Sequence, residues 1–125
     1  MIDHIGVNVT DYQRAREFYL ATLAPIGYKV IHEGEGYCGI GQAEGENAWL
    51  GSIWLMAKES ITPNHFCFRT NDRATVDAFH KAGLAAGGKD NGAPGVRTDY
   101  HENYYAAFIL DADGNNVEVV CQKPE

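Results

Sequence analysis

The chain has 125 residues, 45% of them hydrophobic and 22% charged, which is typical of one compact globular domain. Its formal net charge of −7 argues against a nucleic-acid partner, because a phosphate backbone requires a basic surface, and disfavours an anionic membrane. No stretch approaches the roughly 18–20 apolar residues that span a bilayer, and no secretory signal is evident. We therefore expect a cytoplasmic protein that acts on a small molecule.

The first half of the chain predicts one strand, one helix and three further strands. Apolar residues alternate through Ile2–Val9, which indicates a half-buried strand with His4 on its other face. Asp11 is placed to cap a helix that runs to about Leu23. A tight turn is expected at 34–36 and a loop at 43–47. The three remaining strands are predicted at Tyr28–Glu33, Tyr37–Gly41 and Trp49–Ala57.

The second half predicts the same order of elements. A strand at His65–Thr70 precedes an Asp72 cap and a helix that ends near Gly83. The glycine-dense segment Gly87–Gly95 predicts a turn or mobile loop. Asp111–Gly114 has the composition of a turn. Three strands are predicted around these segments, namely a short one at Arg97–His101 and two longer ones at Tyr104–Leu110 and Asn116–Cys121.

An internal repeat relates the two halves. Asp3–Leu23 aligns without gaps on Asn64–Leu84 at a constant offset of 61 residues, so that His65 falls on His4. Repeats of this kind identify the structural unit of a fold. The predicted fold is therefore α+β, with two βαβββ modules in pseudo-symmetric repeat. Module 1 covers residues 1–60 and module 2 covers residues 61–125, and no flexible linker separates them, so 1–125 is one domain.

A candidate metal site emerges when the last strands of the two modules are compared. Residues 53–58 align with 117–122, which places Trp54 at the position of Glu118. A carboxylate in a valine-rich strand is costly to bury unless it is paired or bound to a cation. His4, His65 and Glu118 occupy corresponding places on three strands, and such a donor set suits a first-row divalent metal. Trp54 cannot ligate; it is expected to line a pocket by stacking or to pack in the core.

Three segments resemble the vicinal oxygen chelate superfamily, which includes glyoxalases, bleomycin resistance proteins and extradiol dioxygenases. They are DHIGVNVTDYQRAREFY at 3–19, NHFCFRT at 64–70 and YYAAFILDADGNNVEVV at 104–120, with Ala112 where the family usually has proline. The resemblance implies a cup of curved sheets, a homodimer, and metal ligands at His4, His65 and Glu118. Trp54 replaces a glutamate ligand of the glyoxalase I-like members. Whether one chain or two close the cup stays open.

The resemblance and the residues together predict a metal-dependent enzyme acting on a small oxygen-chelating substrate, by lyase, isomerase or dioxygenase chemistry. The metal would be Fe, Mn, Zn, Ni or Co. Glu118 and His101 are the candidate catalytic residues, because a histidine titrates near neutral pH. The predicted substrate contacts are Trp54, Tyr105 and Arg97. The alternative is a metal-free protein of the bleomycin-resistance type that binds and sequesters a small molecule.

Overall fold

The chain folds into two similar four-stranded sheets, each with one long helix. The computed structural model describes residues 2–46 and 48–124; the predicted loop at 43–47 includes Asn47, which lies outside them. The elements are β1 (His4–Val9), α1 (Tyr12–Leu23), a short 3-10 helix (Ala24–Ile26), β2 (Lys29–Gly34), β3 (Tyr37–Gly41), β4 (Ser52–Ala57), β5 (His65–Thr70), α2 (Arg73–Ala85), β6 (Lys89–Val96), β7 (Tyr105–Leu110) and β8 (Asn116–Cys121).

The two sheets have the same strand order, which confirms the predicted α+β fold of two βαβββ modules. The N-terminal sheet runs β1-β4-β3-β2 and the C-terminal sheet runs β5-β8-β7-β6. In each sheet the first strand pairs in parallel with the last strand of its module, and the other neighbours are antiparallel. The strands β1 and β5 are therefore edge strands at equivalent positions.

One loop prediction and one strand prediction in module 2 are wrong. The segment Gly87–Gly95, expected to be a loop, is largely the strand β6, and Arg97–His101, expected to be a strand, lies in the turn before β7. The register of β6 against β7 shifts twice, between Asp90 and Gly92 and again before Gly95. Glycine and proline are tolerated in this strand because it lies at the edge and is bulged.

The largest boundary error in module 1 is at the start of its fourth strand. The fourth strand begins at Ser52, whereas Trp49 stands in the preceding turn with a φ of 71°. A positive φ is uncommon for a residue with a side chain, and it is incompatible with an extended strand. The strand is consequently three residues shorter than the sequence pattern indicates.

The core lies between the two helices and the inner faces of the sheets, and it is shared by both modules. The helix α1 packs on β3, β4 and α2, while α2 packs on β6, β7 and β8. The inward strand residues are apolar and fully buried, for example Val7 and Leu55 in module 1 and Val117 and Val119 in module 2. The opposite faces of both sheets, which carry His4, Trp54, His65 and Glu118, point away from this core.

A buried carboxylate joins the two modules. Asp111 accepts hydrogen bonds from the Tyr19 hydroxyl at 2.7 Å, from the Asn115 backbone N–H at 2.8 Å and from the Asn115 side-chain amide at 2.8 Å. It also accepts from the backbone N–H of Asp113. This network organises the turn between β7 and β8 and fixes it to α1, because a buried charge must be fully hydrogen-bonded.

No helix in the described part of the chain is long and apolar enough to cross a membrane.

Candidate metal centre

The parallel strand pairs place the candidate site residues at equivalent positions in the two modules. His4 and His65 are the first residues of β1 and β5, and each stands beside the first residue of its partner strand. Trp54 and Glu118 are the third residues of those partner strands. The sequence alignment of Trp54 with Glu118 is therefore reproduced by the backbone register.

In the C-terminal sheet, Glu118 and His65 form a close pair. Glu118 is 3% exposed, which is exceptional for a carboxylate. Its Oε1 accepts a hydrogen bond from the Tyr104 hydroxyl at 2.6 Å, and its Oε2 lies 3.1 Å from His65 Nε2. Tyr104 thus holds one oxygen of the carboxylate, and the other oxygen faces the imidazole.

A backbone carbonyl orients the His65 ring so that Nε2 faces Glu118. His65 Nδ1 lies 3.0 Å from the carbonyl oxygen of Asn116, and because a carbonyl only accepts, Nδ1 must carry the proton. In neutral imidazole, Nε2 then presents its lone pair to the Glu118 Oε2. Two acceptors at 3.1 Å need a proton or a cation between them. This arrangement fits a divalent metal ligand pair, since an Nδ1–H···O=C bond commonly orients metal-binding histidines.

Two polar neighbours of Glu118 stay uncharged near neutral pH. Burial raises the pKa of Tyr104, and the hydrogen bond to Glu118 raises it further. Cys67 is exposed as a residue, but its thiol lies among packed atoms; this desolvation, followed by the Glu118 charge, raises the pKa of the thiol to about 12. Tyr104 is therefore a neutral hydrogen-bond donor to the carboxylate, and the neutral Cys67 thiol donates to the Phe68 carbonyl oxygen at 3.6 Å.

Arg97 lies on the same face of this sheet. Its guanidinium carbon is 5.7 Å from the centre of the Phe108 ring, and the Phe108 ring centre is 6.3 Å from that of His65. The guanidinium also donates to the Ala93 carbonyl oxygen at 2.6 Å. The predicted substrate contact Arg97 is thus separated from His65 by one aromatic ring.

His4 lies apart from this pair. Its side chain is 59% exposed, its Nδ1 lies 2.7 Å from Asp3 Oδ1, and its ring is edge-on to Trp54 at 6.4 Å. Among residues 2–46 and 48–124, no three His, Cys, Asp or Glu side chains lie close enough together to hold a metal ion. Within one chain, the structure therefore brings together two of the three predicted ligands.

A cleft between the modules borders His65. Its volume is about 400 Å³, and it is lined from module 1 by Ile2, Ile5 and Ser52 and from module 2 by His65 and Cys67 among others. An adjoining cavity of about 340 Å³ is also lined by Ile5 and His65. The edge strands β1 and β5 therefore face common open space.

Two other predicted site residues lie outside the Glu118 cluster. The Tyr105 hydroxyl donates to Asp77 of α2 at 2.7 Å, on the core side of the sheet. His101 is exposed in the turn before β7, where its Nδ1 accepts from the Asn103 backbone N–H at 3.2 Å. Neither contact involves Glu118 or His65.

Comparison with known proteins decides the family. The family model described as Glyoxalase/Bleomycin resistance protein/Dioxygenase superfamily matches residues 1–119. The chain belongs to this superfamily. The resemblance drawn from the three sequence segments is thereby confirmed. No curated protein matches the chain.

Solved structures of the superfamily share the fold. A glyoxalase/bleomycin resistance protein from Albidiferax ferrireducens is 23% identical with a TM-score of 0.78, and the match covers 97% of both chains. A glyoxalase/bleomycin resistance protein/dioxygenase family enzyme from Burkholderia phytofirmans is 17% identical with a TM-score of 0.73, covering 97% of this chain and 98% of that one. A glyoxalase I variant from Zea mays is 23% identical with a TM-score of 0.69, covering 95% of this chain and 45% of that one. At these sequence identities, the three matches establish that the fold is shared.

Sequence reasoning missed Tyr104 in favour of its neighbour Tyr105. Phe108 pairs with Glu118 across the strands β7 and β8 and shares its face. Because successive residues of a strand point to opposite faces, an even number of steps from Phe108 leads to Tyr104. The signal was present in the alternation, but it required the register of β7 against β8.

Proposed function

We propose that this superfamily member is a divalent-metal-dependent enzyme whose ligands are His4, His65 and Glu118. The observation that carries the proposal is the close pair of His65 Nε2 and Glu118 Oε2, with His65 Nδ1 held by a backbone carbonyl. A buried carboxylate whose second oxygen faces an imidazole nitrogen at 3.1 Å favours a cation at this point. A metal held there supplies Lewis acidity toward adjacent oxygen atoms of a small substrate.

The protein's own side chains have distinct proposed roles. Tyr104 donates to Glu118 Oε1 and leaves Oε2 as the oxygen that faces the site. Arg97 offers a positive charge on the same face for an anionic group of the substrate. His101, in the exposed turn before β7, is the candidate for proton transfer with bulk water. We propose these roles for lyase, isomerase or dioxygenase chemistry alike.

A homodimer would complete the ligand set. His4 lies away from His65 and Glu118 in the single chain, and β1 and β5 are both edge strands that border open space. We propose that His4 of one copy meets His65 and Glu118 of the other. A closed two-fold dimer then holds two identical sites.

Metal analysis tests the ligand proposal. Purified protein, reconstituted in turn with iron, manganese, zinc, nickel and cobalt, is expected to hold near-stoichiometric amounts of at least one of them. Glu118→Gln, which keeps the shape of the side chain, is expected to abolish this binding. Glu59→Gln, at an exposed loop carboxylate, serves as the matched control. Metal content that is absent from the parent, or unchanged in Glu118→Gln, overturns the proposal.

Mixing two variants that bind no metal tests whether each site is shared between two copies of the chain. His4→Ala and Glu118→Ala homodimers should each bind no metal. If each site takes His4 from one copy and Glu118 from the other, subunit exchange produces heterodimers with one intact site. Metal content should then return to as much as about half a site per heterodimer subunit. If metal stays absent after exchange, verified by mass spectrometry of tagged subunits, the site does not cross between copies.

A further inference from the structure

The edge strand β6 contains two bulges that set where its end lies beside β7. The six steps along β6 from Asp90 to Val96 match only the four steps along β7 from Ile109 to Tyr105. Bulges of this kind redirect side chains and are frequent next to functional sites. The backbone N–H of Arg97, just after β6, consequently donates to the carbonyl oxygen of the residue before β7 at 2.7 Å.

The first bulge is held by a carboxylate. Asp90 Oδ1 accepts a hydrogen bond from the Gly92 backbone N–H at 3.0 Å, and it lies 2.9 Å from Nε2 of His80. His80 is on α2, and its side chain is only 12% exposed. The hydrogen bond with His80, followed by that from Gly92, lowers the pKa of Asp90, so this carboxylate only accepts near neutral pH and Nε2 carries the proton. The helix α2 is therefore tied through Asp90 to the bulge.

The guanidinium of Arg97 lies directly over the bulged segment. Its Nη2 donates to the Ala93 carbonyl oxygen at 2.6 Å. A Cβ added to Gly92 would stand 3.3 Å from Nη2, and one added to Gly95 would stand 3.0 Å from Nη1. The two glycines thus leave the space that the guanidinium occupies, and its position depends on the shape of the bulges beneath it.

The charge of Arg97 is available to a ligand. Within residues 2–46 and 48–124, no carboxylate forms an ion pair with it. Its guanidinium carbon lies 5.7 Å from the centre of the Phe108 ring, which is 6.3 Å from that of His65. An anion held by Arg97 would therefore lie on the sheet face that carries the proposed metal centre.

We propose that Asp90 and His80 are positioning residues that hold the Arg97 guanidinium in place for the carboxylate of a small ligand. The chain of contacts runs from His80 to Asp90, through the bulge to the Ala93 carbonyl, and from there to Arg97. A guanidinium that the fold has already fixed loses less side-chain entropy when it binds an anion. That this ligand is the enzyme's substrate rests on the proposed function, whereas the ordering of Arg97 requires no metal.

Side-chain NMR of chelator-treated protein measures this ordering. The Nε–Hε signal of Arg97 is assigned by its absence from Arg97→Lys, and nitrogen-15 relaxation gives its order parameter. We expect about 0.8 in the parent and less than about 0.6 in Asp90→Ala, values that separate rigid from flexible groups. Asp90→Asn keeps the Oδ1 acceptor and should resemble the parent. A mobile Arg97 in the parent, or an unchanged value in Asp90→Ala, overturns the proposal.

Three further variants locate the chain of contacts. His80→Phe fills the same space without a donor and should lower the order parameter of Arg97; an unchanged value overturns the role of His80. Gly95→Ala should displace the guanidinium while the Asp90 contacts persist. Asp99→Ala removes an exposed carboxylate two residues from Arg97 and should change nothing. An equal loss of order in Asp90→Ala and Asp99→Ala would trace the effect to charge alone and overturn the proposal.

Hydrogen exchange separates positioning from general support of the strand. In Asp90→Ala, the Gly92 N–H should lose protection because its acceptor is gone, whereas the Arg97 backbone N–H should keep its bond to the Tyr104 carbonyl. Loss of protection at both groups would show that β6 has opened. Asp90 would then be a structural residue, and the positioning role would be wrong.

Oxalate, whose two carboxylates carry adjacent oxygens, is the anion probe. Titrated into chelator-treated protein and followed by the Arg97 Nε–Hε signal, it should bind several-fold more weakly to Asp90→Ala than to the parent. Equal affinities, or no response of Arg97 in the parent, overturn its role toward an anion. If these results hold but no metal binds after reconstitution, the positioning chain stands and the metal proposal fails. If metal binds while Arg97 is mobile in the parent, the reverse is true.

Discussion

Glu118 is the most consequential single residue of the candidate site. It is almost fully buried on the sheet face that also carries the exposed residues His65 and Cys67, and its two oxygens have different partners. Tyr104 fixes Oε1 and therefore the rotation of the carboxylate about its last bond. Residues that orient a metal ligand in this way contribute to affinity without touching the metal.

Replacement of Tyr104 by phenylalanine tests this role. Tyr104→Phe removes the 2.6 Å hydrogen bond and keeps the ring, so we expect metal affinity to fall by about 10–100-fold. Competition with a chromophoric chelator measures this loss. Tyr100→Phe is the control, because Tyr100 is 68% exposed and contacts Tyr104 only through its ring. Equal affinities in Tyr104→Phe and the parent protein would contradict the assigned role.

Asp111 makes a comparable contribution to stability at the turn between β7 and β8. Asparagine at this position keeps one acceptor oxygen but turns its amide toward donors from Tyr19 and Asn115. We expect Asp111→Asn to lower the free energy of unfolding by about 2–4 kcal/mol, since buried donors lose their acceptor. Tyr19→Phe should cost about 1–2 kcal/mol, because it removes a single bond. Urea denaturation measures both, and a change of less than about 0.5 kcal/mol for Asp111→Asn would refute the network's importance.

At the scale of secondary-structure elements, both long helices begin with an aspartate N-cap. The carboxylates of Asp11 and Asp72 accept from the backbone N–H groups of Arg14 and Thr75 at 3.1 Å and 2.7 Å. Such caps satisfy a backbone donor that has no partner inside the helix. The N-caps belong to the repeated sequence, which is why the helix starts were predicted correctly.

The cap at Asp72 predicts a dependence of stability on pH. Hydrogen bonds from the Thr75 side chain and backbone lower the pKa of Asp72 below 3.8. A lowered folded-state pKa stabilises the fold above the unfolded-state value, and this contribution disappears as pH falls through the folded-state pKa. Asp72→Ala should therefore lower the Tm at about pH 7 and change it progressively less as the pH falls below about 4. A Tm difference that stays constant between these pH values would contradict the assignment.

The strand β6 shows where the prediction of secondary structure from sequence composition fails. Its sequence contains glycines and a proline, and these residues ordinarily mark loops. It nevertheless pairs with β7, because an edge strand needs hydrogen bonds along only one side and tolerates bulges. A Cβ at Gly92 would stand 2.8 Å from the Phe108 ring, so close approach to the neighbouring strand accounts for that glycine.

At the scale of the whole molecule, the two modules behave as one unit in their packing. The helix α1 contacts α2, and Asp111 of module 2 is bonded to Tyr19 of module 1. Each module alone would expose the apolar side that its partner covers, and a chain of about 60 residues is marginal even with a closed core. We propose that residues 1–125 form a single cooperative domain.

Unfolding measured by two probes tests this cooperativity. Both tryptophans, Trp49 and Trp54, lie in module 1, so tryptophan fluorescence reports on that module alone. Far-UV circular dichroism reports on the strands and helices of both modules. We expect the two urea transitions to coincide, as they do for two-state unfolding. Separate midpoints would show that the modules unfold independently.

The sequence by itself determined the repeated architecture. Alternating apolar residues, the Asp11 and Asp72 caps, and the 61-residue offset define two equivalent modules, because these signals act over a few neighbouring residues. The same repeat placed His4, His65, Trp54 and Glu118 at matching positions. The position of a residue along its strand can therefore be predicted from the local sequence pattern.

Only the tertiary structure decided which of those residues meet. The pairing of Glu118 with His65 and Tyr104, the separation of His4, and the stacking of Trp54 over Gly39 all depend on contacts between strands distant in the chain. Such contacts follow from the register of neighbouring strands and from the packing of one module on the other. A single-residue shift of register reverses the face of every side chain, so local periodicity leaves these contacts undetermined.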